Sequence, residues 1–170
     1  PKANKAFSRN AEIYDTTIGW RFVNPVMKEK FGIHSMPETA ENVAEKYQIT
    51  REDQDKFALN SHEKALKAIS NQRMSNEITS VNIKQKKGDD IIVDTDEHPR
   101  KTSIEKLSNL PTPFKKNGTI TAGNSSGVND GASAVIIANE KSIKENNLTP
   151  MARIICASSS GVEPAYMGIG

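Results

Sequence analysis

One stretch, GTITAGNSSGVNDGASAVIIA from Gly118 to Ala138, constrains this chain more than any other. Glycines recur at 118, 123, 127 and 131, with Asn124, Ser125, Ser126, Asn129 and Asp130 between them. Glycine reaches backbone conformations closed to other residues and lets another group come close to the main chain. The following run, Ser133 to Ala138, is short, apolar and partly β-branched, and so reads as a buried strand. The loop is not a phosphate-binding Walker sequence, because it lacks Gly-Lys-Ser/Thr, and it holds no G-x-G-x-x-G dinucleotide fingerprint. Two readings of it stay open: a packing or turn device, or a loop that contacts a ligand.

Upstream, the helix signals are local and clear. Ser35-Met36-Pro37-Glu38 is a capping box, with proline in the first turn where its missing N–H has no helical partner, and predicts a helix to about Tyr47. Thr50-Arg51-Glu52-Asp53 opens a longer helix, in which Phe57, Ser61, Ala65, Ala68 and Ile69 fall near helical spacing. Residues 80–85 and 91–94 read as two strands joined at Gly88. A short helix is expected from Ile104 to Leu110, where Pro111 ends it. Asn139 caps a further helix to about Asn146, and Arg153 to Ala157 reads as another buried apolar strand. The first segment, Pro1 to Pro25, reads as an ordered but irregular excursion. Its aromatics Tyr14, Trp20 and Phe22 either pin it to the body or meet another subunit. Strand, helix and strand in the last third indicate an α/β layer architecture with a buried sheet. A helical and mixed insert, about 25 to 112, is expected to join the beginning of that α/β domain.

Composition excludes several classes. The net charge of +2 is too small to argue for nucleic acid, and the Lys84, Lys86, Lys87 cluster is followed at once by Asp89 and Asp90, as in a solvated turn. No apolar run approaches the roughly 20 residues needed to cross a bilayer. Cys156 is the single cysteine, which excludes a disulfide framework or a cysteine metal cluster and fits a reducing, cytoplasmic compartment. It lies in the apolar run RIICAS and is expected to be a buried structural thiol. His62 and His98 belong to no recognisable triad or metal spacing. Pro1 at one end and the abrupt stop at Gly170 suggest a piece of a longer protein.

The phrase GTITAGNSSGVNDGASAVIIANEKSIKENNLTPMARI closely resembles the signature that opens the C-terminal half of thiolases, the acyl-CoA C-acetyltransferases. TAENVAEKYQITREDQDKFALNSHEKALKA, KGDDIIVDTDEHPR and GVEPAYMGIG resemble the same family in the same order. SRNAEIYDTTIGWRFVNP and SMPETAENVA look most like the 3-oxoadipyl-CoA (β-ketoadipyl-CoA) thiolases of aromatic-compound breakdown.

The resemblance implies a thiolase-like α/β fold, incomplete here. Residues 1–25 match the end of an N-terminal domain and an oligomerisation excursion. Residues 26–112 match a loop domain that covers coenzyme A, and residues 113–170 the passage into the C-terminal domain. It further implies CoA and acyl-CoA as ligands, with CoA a substrate and no permanently bound cofactor, no metal, nucleic acid or membrane, and a homodimer or homotetramer.

Ala122, Gly123 and Ser126 match positions along the pantetheine arm of CoA, with Ser126 hydrogen-bonding to it. Arg100 matches a position near the nucleotide end, where a guanidinium meets a phosphate or stacks on adenine; without the resemblance it reads as a solvated arginine. Met27 and Met36 match positions near CoA, and Met167 with Ser35 positions near the acyl pocket; the plain alternative for each methionine is core packing. Ser35 stands where biosynthetic members carry histidine, which favours degradative thiolases, and its capping role explains it equally well. Lys106 replaces a CoA-contacting serine of some members. The family's nucleophilic cysteine lies upstream, and its Asn-Glu-Ala-Phe, Gly-His-Pro and Cys-x-Gly-Gly motifs lie downstream, so no catalytic residue is expected here and the isolated chain is expected to be inert. A non-catalytic CoA-binding or assembly module derived from a thiolase, and a generic 3-ketoacyl-CoA thiolase, are the competing readings.

Overall fold

The Asn24-Pro25 pair starts the first helix of the computed structural model, which describes residues 19–20 and 22–170. Asn24 Oδ1 accepts from the Val26 and Met27 N–H groups, and Pro25 fills the first helical position of α1, Pro25–Phe31. The sequence reading gave this segment no helix. Of the irregular excursion expected over Pro1 to Pro25, residues 1–18 and 21, Tyr14 among them, lie outside the described residues. Trp20 is pinned to the body, its indole N–H donating to the His34 carbonyl at 3.3 Å, while Phe22 is exposed.

The two capped helices form as their starts dictate. α2 spans Met36–Lys46 behind the Ser35–Glu38 box, and α3 spans Arg51–Ser70 behind Thr50, whose hydroxyl accepts from the Asp53 N–H at 3.1 Å. β1, Val81–Ile83, pairs antiparallel with β2, Ile91–Val93, in the register Val81 with Val93 and Ile83 with Ile91. Gly88 between them takes φ 90, a left-handed value that glycine adopts without strain. α4, Ile104–Ser108, lies against α3, and α5, Glu140–Glu145, begins at Asn139, whose side chain accepts from the Ser142 N–H. A 3-10 segment at Pro164–Ile169 packs on α2: Asn42 Nδ2 donates to the Ala165 carbonyl at 3.1 Å, and Lys46 Nζ sits 3.8 Å from the Tyr166 ring centroid.

The two buried strands expected at Ser133–Ala138 and Arg153–Ala157 are absent. Neither run pairs with another strand among the described residues, and both are exposed, with Ile136 at 90% and Ile155 at 82%. Cys156 is exposed with them rather than buried. A buried strand needs neighbours to take its backbone N–H and C=O groups and apolar side chains to cover its faces. The described residues supply neither to these runs.

The core is accordingly small. Ala44, Leu107 and Ile120 are its buried apolar members, whereas Thr39, Glu41, Asp55 and Thr121 are buried and polar. Hydrogen bonds between these polar groups and the glycine-rich segment therefore carry much of the tertiary organisation.

Candidate functional site

The glycine-rich segment is seized at its root by side chains of α2 and α3. Glu41, only 3% exposed, accepts from the Thr119 N–H at 2.8 and 3.0 Å, from the Ile120 N–H at 2.8 Å and from the Thr119 hydroxyl at 3.1 Å. Asp55, 2% exposed, accepts from Arg51 Nε at 2.8 Å and from Asn124 Nδ2 at 3.1 Å. The same Asn124 amide donates to the Thr119 carbonyl at 2.9 Å and accepts from the Thr121 N–H at 2.8 Å. Thr121 Oγ1 takes the Gly123 and Asn124 N–H groups, and Ser125 Oγ donates to the Thr121 carbonyl. Arg51 extends the network by donating through Nη2 to the Leu107 and Leu110 carbonyls at 2.6 and 3.2 Å. Among the described residues no buried side-chain N or O lacks a partner.

Packing explains three of the four glycines. A Cβ at Gly118 would run into the Glu41 carboxylate and stand 2.9 Å from the Lys115 carbonyl oxygen. At Gly123 it would meet Leu110 Cδ1 and Leu107 Cδ2 at 2.5 and 2.6 Å, and at Gly127 Asn129 Oδ1 and His98 Cε1 at 2.6 and 2.8 Å. Gly131 has nothing within 4 Å.

Past this root the segment walls a cleft of about 500 Å³. One side is the Phe57, Ser61, Ala65 stripe of α3, spaced four residues apart and so on one helix face. The other is formed by Gly123 to Gly127, with Asp96, His98 and Pro99 closing an end. A second depression of about 430 Å³, lined by Arg100, Glu97 and Thr95, shares Asp96, His98 and Asn129 with the first. The Arg100 N–H donates to His62 Nδ1 at 3.3 Å and ties the 96–100 loop to α3.

Of the site residues expected from sequence, Ser126 and Gly123 line the first cleft and Arg100 the adjoining one. Ala122 is exposed beside them and lines neither. Met27 on α1, Met36 at the first turn of α2 and Met167 on the 3-10 segment are 43%, 63% and 42% exposed, and none lines either cleft. Ser35 is occupied as a cap: its N–H and Oγ both reach Glu38 Oε2, at 2.6 and 2.7 Å, and these bonds hold the Glu38 carboxyl below its usual range. Lys106 is exposed on α4. Glu41 and Asp55 carry no signal that sets them apart in the sequence, whereas Asn124 stands out there as one of the polar residues of the glycine-rich stretch. The available signals are a carboxylate on each of two helices and, for Asp55, an arginine four residues before it, which are indistinguishable from solvated positions until the distant partner is known.

Among the described residues no group of three or more His, Cys, Asp or Glu is arranged to hold a metal ion, and no helix is long and apolar enough to cross a membrane.

The thiolase N-terminal domain family matches residues 4–141. A β-ketoadipyl-CoA thiolase of Escherichia coli is 56% identical over 170 residues, 99% of this chain and 42% of that protein. Among solved structures, the acetyl-CoA acetyltransferase of Bacillus anthracis superposes with a TM-score of 0.75 at 44% identity, over 83% of this chain and 36% of that one. Human mitochondrial 3-ketoacyl-CoA thiolase in complex with CoA superposes with a TM-score of 0.72 at 45% identity, over 80% and 33%. The chain spans less than half the length of each of these relatives. The chain has part of a thiolase-like α/β fold and belongs to the thiolase family.

Proposed function

We propose that this chain is part of a degradative thiolase that cleaves a 3-oxoacyl-CoA with CoA, its substrate being 3-oxoadipyl-CoA and its products succinyl-CoA and acetyl-CoA. The observation that carries the reading is the pair of joined clefts. One end is walled by glycine backbone and the neutral hydroxyl of Ser126, and the other holds the Arg100 guanidinium beside the carboxylates of Asp96 and Glu97. The neutral amide arm of CoA suits the first surface, and at the second the Arg100 guanidinium is the one permanent cation of the lining that attracts a phosphate, against the repulsion of Asp96 and Glu97. The E. coli relative's name and the human thiolase crystallised with CoA support the same ligand and chemistry.

In this reading residues 26–112 cover CoA, and residues 113–170 lead into the C-terminal half. Ala122, Gly123 and Ser126 border the pantetheine arm, Arg100 meets the nucleotide end, and Met27, Met36, Met167 and Ser35 face CoA or the acyl group once the remainder of the protein is in place. The acylated cysteine, its activating histidine and the second cysteine belong to that remainder, so this chain binds and orients and performs no covalent step. The whole protein is a homodimer or homotetramer, with exposed Phe22 in the segment that meets other subunits. The lone cysteine fits a cytoplasmic setting.

The test compares CoA-dependent cleavage of 3-oxoadipyl-CoA and 3-oxohexanoyl-CoA, equal in chain length, by the protein whose reading frame contains this chain. A kcat/KM preference for 3-oxoadipyl-CoA is expected. Preference for the uncharged acyl group would make it a generic 3-ketoacyl-CoA thiolase, and cleavage of neither would leave a non-catalytic CoA-binding module.

A further inference from the structure

We propose that Glu41 is a positioning residue of the acyl-CoA surface: its carboxylate, reaching from α2, sets where the glycine-rich segment lies and therefore where Gly123 and Ser126 present themselves to the ligand. The inference rests on the reading of that cleft as a CoA surface.

Three observations converge on Glu41. Its two oxygens take the Thr119 N–H, the Ile120 N–H and the Thr119 hydroxyl, so the segment is fixed by several directional bonds from a helix 78 residues earlier in the chain. None of the ion pairs among the described residues includes Glu41, although the residue is buried. A buried carboxylate without a cation in contact is costly compared with an apolar side chain of similar size, so packing alone does not account for it. Finally, Gly118 leaves open the space that this carboxylate fills.

Placement is then transmitted over a short distance. Thr119 and Ile120 are held by Glu41, Gln54 Nε2 donates to Thr119 Oγ1 at 3.0 Å, and the Thr121–Asn124–Ser125 bonds close the turn that delivers Ser126. Glu41 itself does not line the cleft, so it acts on a ligand only through the segment.

The experiment is a calorimetric titration with CoA of the protein whose reading frame contains this chain, comparing the wild type with Glu41→Gln and Thr119→Val. Lys141→Gln, which removes only an exposed ion pair with Glu145 on α5, serves as the control. Glu41→Gln keeps the shape but loses the charge and turns one of the two acceptor oxygens into a donor, and Thr119→Val removes the hydroxyl while keeping the backbone bonds. Loss of the charge-assisted bonds is expected to raise Kd about tenfold for Glu41→Gln and about threefold for Thr119→Val, at unchanged stoichiometry. The control keeps the wild-type Kd. A merely structural role leaves part of the protein permanently misfolded, which lowers the stoichiometry and leaves Kd alone, and that result in both variants, with the soluble remainder showing the wild-type far-ultraviolet circular dichroism and melting temperature, overturns the proposal. A whole wild-type protein that takes up no CoA at millimolar concentration overturns the reading of the cleft and, with it, the positioning role. A wild type that binds beside variants of equal Kd overturns the positioning role alone.

Discussion

Replacing Gly118 by alanine tests the organisation of the glycine-rich segment most directly. The new methyl would stand 2.9 Å from Glu41 Cδ and 2.9 Å from the Lys115 carbonyl oxygen, closer than real Cβ contacts allow. The carbonyl belongs to the turn closed by the Gly118 N–H to Lys115 bond, so the carboxylate is the group that has to yield. Overpacking of this kind costs about 1–3 kcal/mol. Moving Glu41 off the Thr119 and Ile120 N–H groups adds about 1.5–3 kcal/mol for weakened bonds to a charged acceptor. The restricted unfolded chain returns about 0.4–1 kcal/mol. The net loss is about 3 kcal/mol, which for a chain of this size lowers the melting temperature by roughly 6–12 °C.

The other glycines grade the effect. Gly123→Ala pushes on the terminal methyls of Leu107 and Leu110, which rotate away at about 1–2 kcal/mol. Gly131→Ala meets nothing and gains about 0.5 kcal/mol from the stiffer unfolded chain. The assay is thermal unfolding followed by far-ultraviolet circular dichroism, with urea unfolding as a check. Equal melting of the Gly118 and Gly131 variants would refute the argument that Glu41 occupies the space beside residue 118.

Removing the second buried carboxylate by Asp55→Ala leaves the Arg51 guanidinium and the Asn124 amide without their partner and should cost about 3 kcal/mol in urea unfolding. A loss below 1 kcal/mol would contradict the burial seen here. For the capping box, the bonds from the Ser35 backbone and hydroxyl depress the folded pKa of Glu38 below the free value of 4.5, so their contribution is complete above that value and is lost as pH falls through the folded pKa. Ser35→Ala should move the Glu38 titration, followed by carboxyl NMR shifts, upward toward 4.5 without reaching it, because the backbone bond remains; an unmoved titration would show that the hydroxyl plays no part.

Legibility followed the range of the interaction. Ser35, Thr50 and Asn139 announce helices because a cap and the N–H it serves lie within three residues of each other. Gly88 marks the β1–β2 connection for the same reason. α1 was missed although Asn24-Pro25 carries the same kind of signal, because the irregular residues before it dominated the reading. Val135 to Ile137 and Ile154 to Ile155 look like buried strands on composition, yet pairing is a property of neighbours, and the described residues offer them none. Within the site, Gly123, Ser126 and Arg100 come to adjoining clefts, while the three methionines remain apart from them. Glu41 is invisible because its partners lie 78 and 79 residues away, and the role of Asp55 because Asn124 lies 69 away, its local Arg51 pair being of the kind any exposed helix carries.

That separation bears on how the chain is made. At roughly 5–20 residues per second, Glu41 leaves the ribosome about 4–16 s before Thr119 and Ile120 follow it. Throughout the wait α2 exists, if at all, without the segment that later buries it. A carboxylate tolerates such a delay, since water satisfies it until the amides arrive, whereas an apolar contact at the same place would stand exposed and ready to stick to other nascent chains. Joining the two segments through a charge rather than grease therefore protects the unfinished chain during synthesis, at the very position where the finished one is held together.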